Sequence, residues 1–145
     1  MACTVYTKVH TSPVSEVVIK KSVDCILDKE KHSDCSVNIH IVGDAMMKHI
    51  NGTYRNIHRT TDVLSFAIHD GASFPGIAHA DELGDIFISA RQIKRQALAH
   101  HVSAKEEFMR MLVHGVLHLL GYDHTEERVA TRMFARQEKL VKLLL

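Results

Sequence analysis

His114, His118 and His124 stand at spacings that could bring three imidazole nitrogens onto one metal ion. A separation of four residues stacks His114 and His118 on one face of an α-helix. A continuing helix would aim His124 elsewhere, but Gly121 lets the chain turn back and present a third nitrogen. The chain holds 12 histidines among 145 residues, so about one such i, i+4 pair is expected by chance. The pair alone therefore says little, and the third histidine beyond the glycine carries the metal reading over structural or surface histidines. Three neutral imidazoles leave a fourth tetrahedral position open, the arrangement of one catalytic zinc ion rather than a closed structural site. Zinc held this way lowers the pKa of water from about 15.7 toward about 7 and equips a site for hydrolysis.

The position after His114 bears on the substrate. Metalloproteases of the H-E-x-x-H type carry a general-base glutamate there, and this chain has Gly115. That residue argues against peptide hydrolysis. The stretch HGVLHLLGYDH, residues 114–124, resembles the signature of the YbeY family of bacterial single-strand-specific endoribonucleases. NGTYRNIHRTTDVLSFA at 51–67 and LGDIFIS at 83–89 resemble two further blocks of that family. Thr60 and Ala67 stand where the family usually has proline, which touches the cleft wall and not the ligands.

The resemblance implies zinc bound by His114, His118 and His124, a cleft lined by the TDVLSF segment, and a functional arginine matching Arg55. It also implies action on single-stranded RNA, in maturation of the 16S ribosomal RNA 3′ end and ribosome quality control. Ribosomal proteins or a ribosome-associated GTPase become candidate partners. A guanidinium fork matches two phosphate oxygens, so Arg55 is suited to hold a scissile phosphate; read without the family, it fits a surface ion pair equally well. Ser65 could touch substrate from its strand or merely occupy a ladder position. Asp123 could orient a ligand imidazole or serve the turn after Gly121. Arg128, Arg132 and Arg136 on one helix, and Arg91, Lys94 and Arg95 on another, are two candidate RNA tracks or simply solvated faces. A metalloprotease-like hydrolase, and a non-enzymatic ribosome-assembly factor with a structural metal, remain as alternatives.

These residues need a scaffold. Residues 4–10 alternate as a strand, and Ser12-Pro13 predicts a helix start running to about Glu30. Val37, Ile39 and Ile41 mark a second strand, followed by a short helix over 45–50 that ends at Asn51-Gly52. Residues 61–67 and 83–89 read as strands, with 69–81 between them as a loop or flap bordering the site. Ser89 predicts a cap for a helix to about His101, and Ser103 with Glu106 forms a capping box for the next. Gly121 ends that helix. Thr125 could cap a last one, with Val129, Met133, Phe134, Leu140 and Val141 facing inward. The expectation is one α+β domain over 1–145, with a mixed sheet of about four strands and about five helices.

Composition agrees and adds limits. With 46% hydrophobic residues the chain can bury a sizeable core, and 18 basic against 17 acidic residues leave a net charge of +1. Nothing in that balance announces a nucleic-acid tail. No apolar run approaches a membrane span or a secretory signal, so a soluble, cytoplasmic protein without a membrane partner is expected. Cys3, Cys25 and Cys35 form no CxxC pair and suit reduced thiols.

Overall fold

The computed structural model describes residues 3–68, 81–122 and 126–145. Within them the order is β1 (Cys3–Thr7), α1 (Glu16–Lys29), β2 (Ser36–Val42), α2 (Asp44–Arg55), β3 (Val63–Ala67), β4 (Glu82–Ser89), α3 (Ala90–His100), α4 (Ala104–Leu119) and α5 (Glu127–Leu144). This is the expected α+β arrangement, with four strands in one mixed sheet of order β1-β2-β4-β3. β1, β2 and β4 run parallel, and β3 lies antiparallel to β4 at the edge.

Alternation along the strands divides the sheet into two faces. Ile39, Ile41, Ile86 and Ile88 are fully buried on one face, in the main core with Ile19, Val23 and Ile26 of α1 and Phe108, Met109, Leu112 and Val116 of α4. Residues one step along the strands, Val42, Leu64, Phe66 and Phe87, meet Met47 and Ile50 of α2 in a second, smaller cluster. Hence α2 covers the face opposite α4. This sandwiching puts the C-terminal end of α2 and the middle of α4 on either side of edge strand β3.

Two helix boundaries and one helix face differ from the sequence reading. The cap of α1 is Ser15, whose Oγ accepts from the Val18 amide at 3.4 Å, not Ser12. Ser12 instead donates to the Val14 carbonyl at 2.7 Å. Val14 before the cap and Ile19 in the first turn share the main core, a hydrophobic staple that fixes where the helix starts. Helix α2 runs on through Asn51-Gly52 to Arg55 because Asn51 is buried and its Nδ2 donates to the Arg59 carbonyl at 2.9 Å. On α5, Met133, Gln137, Leu140 and Val141 form the buried stripe, while Phe134, expected inside, is 46% exposed. The expected flap lies almost wholly in residues 69–80, and the Thr125 cap in 123–125, both outside the described residues.

Asp44 ties the second crossover together. Its carboxylate accepts from both terminal nitrogens of Arg95 (2.7 and 3.0 Å), from Thr60 Oγ1 (3.2 Å) and from Ser89 Oγ (3.2 Å). Ser89 in turn caps α3 by accepting from the Gln92 amide at 3.3 Å. The hydrogen bond from Arg95, above all, holds the Asp44 carboxyl below its ordinary value of 3.8. A carboxyl depressed in the folded state adds stability above its unfolded pKa, and that share is lost as pH falls through the lower folded value. Urea midpoints should therefore drop between about pH 5 and about pH 3, and drop less steeply in Asp44→Asn. Parallel pH profiles for the two proteins would contradict this role for Asp44.

Candidate functional site

Helix α4 begins where Ser103 Oγ accepts from the Glu106 amide at 3.0 Å, the serine half of the expected capping box, while the Glu106 carboxylate accepts from Arg110 at 3.2 Å. Its end is equally local. Gly121 at φ 103° lets its own amide reach the His118 carbonyl and the Tyr122 amide the Leu117 carbonyl, each at 3.1 Å. That 5→2 and 6→1 pair is a Schellman stop. Between these ends Gly115 faces the sheet, where an added Cβ would lie 3.0 Å from Ile86 Cγ2 and 3.2 Å from Ser65 Oγ. The missing side chain lets α4 settle directly onto β3 and β4. The neighbouring His114 and His118 are half-buried, with near-parallel rings whose centroids are 6.3 Å apart.

Helix α5 supplies a partner that the sequence reading did not name. Gln137, buried at 4% exposure, places Oε1 2.8 Å from His114 Nδ1. Its Nε2 donates to Glu138 Oε2 at 3.3 Å, which fixes the amide with its oxygen toward the histidine. An oxygen there needs a proton on Nδ1, so the lone pair of the neutral ring falls on Nε2. Glu138 is itself held by Arg110, whose Nε donates at 3.0 Å and keeps the carboxyl below its ordinary range. Phe134 stacks on the same imidazole at 6.2 Å and 22°. The signal for Gln137 was a polar residue on the apolar stripe of α5, four residues after Met133.

Across β3 the chain returns from α2. That helix stops at Arg55 because Asn56 adopts the left-handed region at φ 56° and ψ 34°, which asparagine tolerates better than most residues. Arg55 Nη2 donates to the Ser65 carbonyl at 3.5 Å, and the guanidinium carbon lies 6.0 Å from the centre of the Phe66 ring. A cavity of about 240 Å³ opens between these elements, lined by Arg55, Arg59, Ser65, His114 and His118 together with Asn51, Thr60 and Thr61. Among the described residues no Asp or Glu lines it. A second cavity of about 380 Å³ shares Arg55, Ser65 and His118 with the first and adds Tyr54 and Phe66. The arrangement suits an anion beside the histidine pair.

The comparisons with known proteins point the same way. The family model described as endoribonuclease YbeY matches residues 5–144. The chain belongs to the YbeY family. The endoribonuclease YbeY of Heliobacterium modesticaldum is 39% identical over 115 residues, 75% of this chain and 69% of the relative. That of Desulfitobacterium hafniense is 40% identical over 126 residues, 85% and 78% of the two chains. The solution structure of TM1509 from Thermotoga maritima superposes with a TM-score of 0.70 at 25% identity, covering 98% of this chain and 88% of that one.

Within this YbeY-family fold, the structure brings Arg55, Ser65, His114 and His118 around one cavity. Ser65 spends its hydroxyl on the Gly115 carbonyl at 3.5 Å while still lining the cavity wall. His124 and Asp123 fall in residues 123–125, outside the described residues. Among the described residues no three His, Cys, Asp or Glu side chains converge as a metal set. What is described suits a metal: two imidazoles one turn apart, one with its tautomer fixed from behind by a buried amide.

The two basic tracks separate. Arg136 is taken by Glu30, in an ion pair that also receives the Tyr122 hydroxyl at 2.9 Å. Arg91, Lys94 and Arg95 instead border a distinct cavity of about 620 Å³ with Lys8 and His10, and there Arg95 is bound to Asp44.

Two expectations follow. Gly115→Glu, which would restore the protease-type residue, forces a charged side chain against fully buried Ile86 and should cost more than about 3 kcal/mol in urea unfolding. A variant as stable as the parent would mean that α4 does not need this close approach. Gln137→Leu removes the acceptor for the His114 Nδ1 proton and should cost about 1–3 kcal/mol. Nitrogen chemical shifts of His114 should at the same time lose the single tautomer. An unchanged tautomer would show that another group fixes the ring.

Proposed function

We propose that this protein is a zinc-dependent endoribonuclease for single-stranded RNA, with the ion held by His114, His118 and His124, acting on ribosomal precursor RNA at the 16S 3′ end. The observation that carries the reading is the cavity beside the histidine pair. Two arginines and two histidines line it and, among the described residues, no carboxylate does. A phosphodiester suits such a wall, whereas a peptide-cleaving site of the zincin type would need a general-base carboxylate that Gly115 does not supply. Membership of a family whose relatives are named endoribonucleases supports the RNA substrate. A ribosomal substrate would put the work in the cytoplasm.

Hydrolysis joins a water oxygen to phosphorus and breaks the bond to a bridging oxygen, which leaves with a proton. Zinc, when bound, supplies Lewis acidity that activates water and draws charge from a phosphate oxygen. Arg55 would receive the non-bridging oxygens, since its Ser65 contact uses one of five N–H donors. Its permanent charge then opposes the negative charge that builds up in the transition state. The Ser65 backbone anchors that guanidinium, while the Ser65 side chain forms part of the cavity wall. Gln137 keeps His114 turned with Nε2 available as the ligand atom.

Purified protein should cleave a single-stranded oligoribonucleotide, and activity should vanish with chelator and in His114→Ala. Arg55→Glu should lower cleavage by at least about 100-fold while the chain still carries one zinc by elemental analysis. Full cleavage by chelated protein would defeat the metal role, and full cleavage by Arg55→Glu the arginine's.

A further inference from the structure

We infer that the second cavity, lined by Tyr54, Arg55 and Phe66, is a nucleobase subsite, in which an unpaired base next to the scissile phosphate stacks on Tyr54. The inference rests on the RNA reading above and adds the feature that would restrict that site to single strands.

Tyr54 precedes Arg55 at the end of α2 and is 70% exposed, an unusual position for a large ring beside a cavity. It is held in place without being covered, because its ring meets Phe66 edge-on at 5.3 Å and 62°. Phe66 in turn packs edge-on against Phe87 at 5.8 Å, within the cluster under α2. The platform is therefore anchored in the sheet while its outer surface meets solvent. Tyr54, Arg55 and Phe66 together line a cavity of about 380 Å³, so a planar ligand there would meet a phenol ring and a guanidinium plane. Aromatic rings and arginine planes are the groups on which proteins stack splayed-out bases.

The link to the cleavage cavity is direct. Both cavities share Arg55, Ser65 and His118, so a phosphate beside the histidines and a base beside Tyr54 would both adjoin one guanidinium. A base paired in a duplex is stacked on its neighbours and cannot enter, whereas an unpaired base can turn out of the strand at little cost. Selection for single strands would thus come from the pocket beside the reaction centre and not from the metal.

Binding can be read without cleavage in a His114→Ala background, by fluorescence anisotropy of a labelled single-stranded oligoribonucleotide and of a duplex made from it. Adding Tyr54→Ala should weaken single-strand binding by roughly 5- to 100-fold and leave the weaker duplex binding unchanged. Tyr54→Trp and Tyr54→Phe should restore it. Oligonucleotides carrying 2-aminopurine should show fluorescence quenching with Tyr54 or Trp present that is lost in Tyr54→Ala. Single-strand binding that ignores Tyr54→Ala, or equal loss on single strand and duplex, overturns the subsite, as does failure of both aromatic replacements to rescue. If the His114→Ala chain binds no RNA at all, the RNA reading itself falls, an outcome distinct from RNA binding that does not depend on Tyr54.

Discussion

The close seating of α4 on the sheet at Gly115 is the contact on which the rest of the site depends. A helix with an ordinary side chain there would stand farther from Ile86 and Ser65, and both histidines would lift away from β3 with it. Packed interiors do not absorb such a displacement gradually, because their side chains already interdigitate at near-crystalline density. The same glycine occupies the place where a zincin protease keeps its catalytic glutamate. Packing and chemistry meet at this position: the residue that brings the histidines close to the sheet is also the one at which the zincin-type general base is absent.

Charge is distributed to match. The chain has nearly equal numbers of acidic and basic groups, yet among the described residues the cavity beside the histidines is lined by arginine without carboxylate. Several carboxylates serve the supporting shell instead. Asp44 ties the loop before β3, the end of β4 and α3 to Arg95, Glu138 links Arg110 to the amide of Gln137, and Glu30 joins Arg136 to Tyr122. Each of these pairs holds side chains of two or more elements in one arrangement.

Much of this was legible along the chain because the signals are local. The Ser103 cap, the glycine stop at Gly121 and the alternation in β2 and β4 each depend on residues a few positions apart, and each stands in the structure as read. Misreadings arose where a local signal met a distant partner. Ser12-Pro13 looked like a helix start, but burial of Val14 beside Ile19 moved the cap to Ser15. Asn51-Gly52 looked like a turn, but a bond from Asn51 to the Arg59 carbonyl carried α2 on to Arg55. Phe134 had the spacing of a core residue, yet α5 turns its buried stripe through Gln137 and leaves that ring against His114.

By itself the sequence determined the element order, the helix that carries His114 and His118, and, through resemblance, the importance of Arg55. Side-chain period, capping and helix stops are set by covalent spacing, so they can be read before any contact is known. Only the tertiary structure decided that Arg55 and Ser65 share a cavity with the histidines, that Gln137 fixes the His114 ring, and that Tyr54 stands beside them with its ring uncovered. Those relations join residues on different elements, and they come into being only when burial of the two sheet faces forces α2, α4 and α5 together.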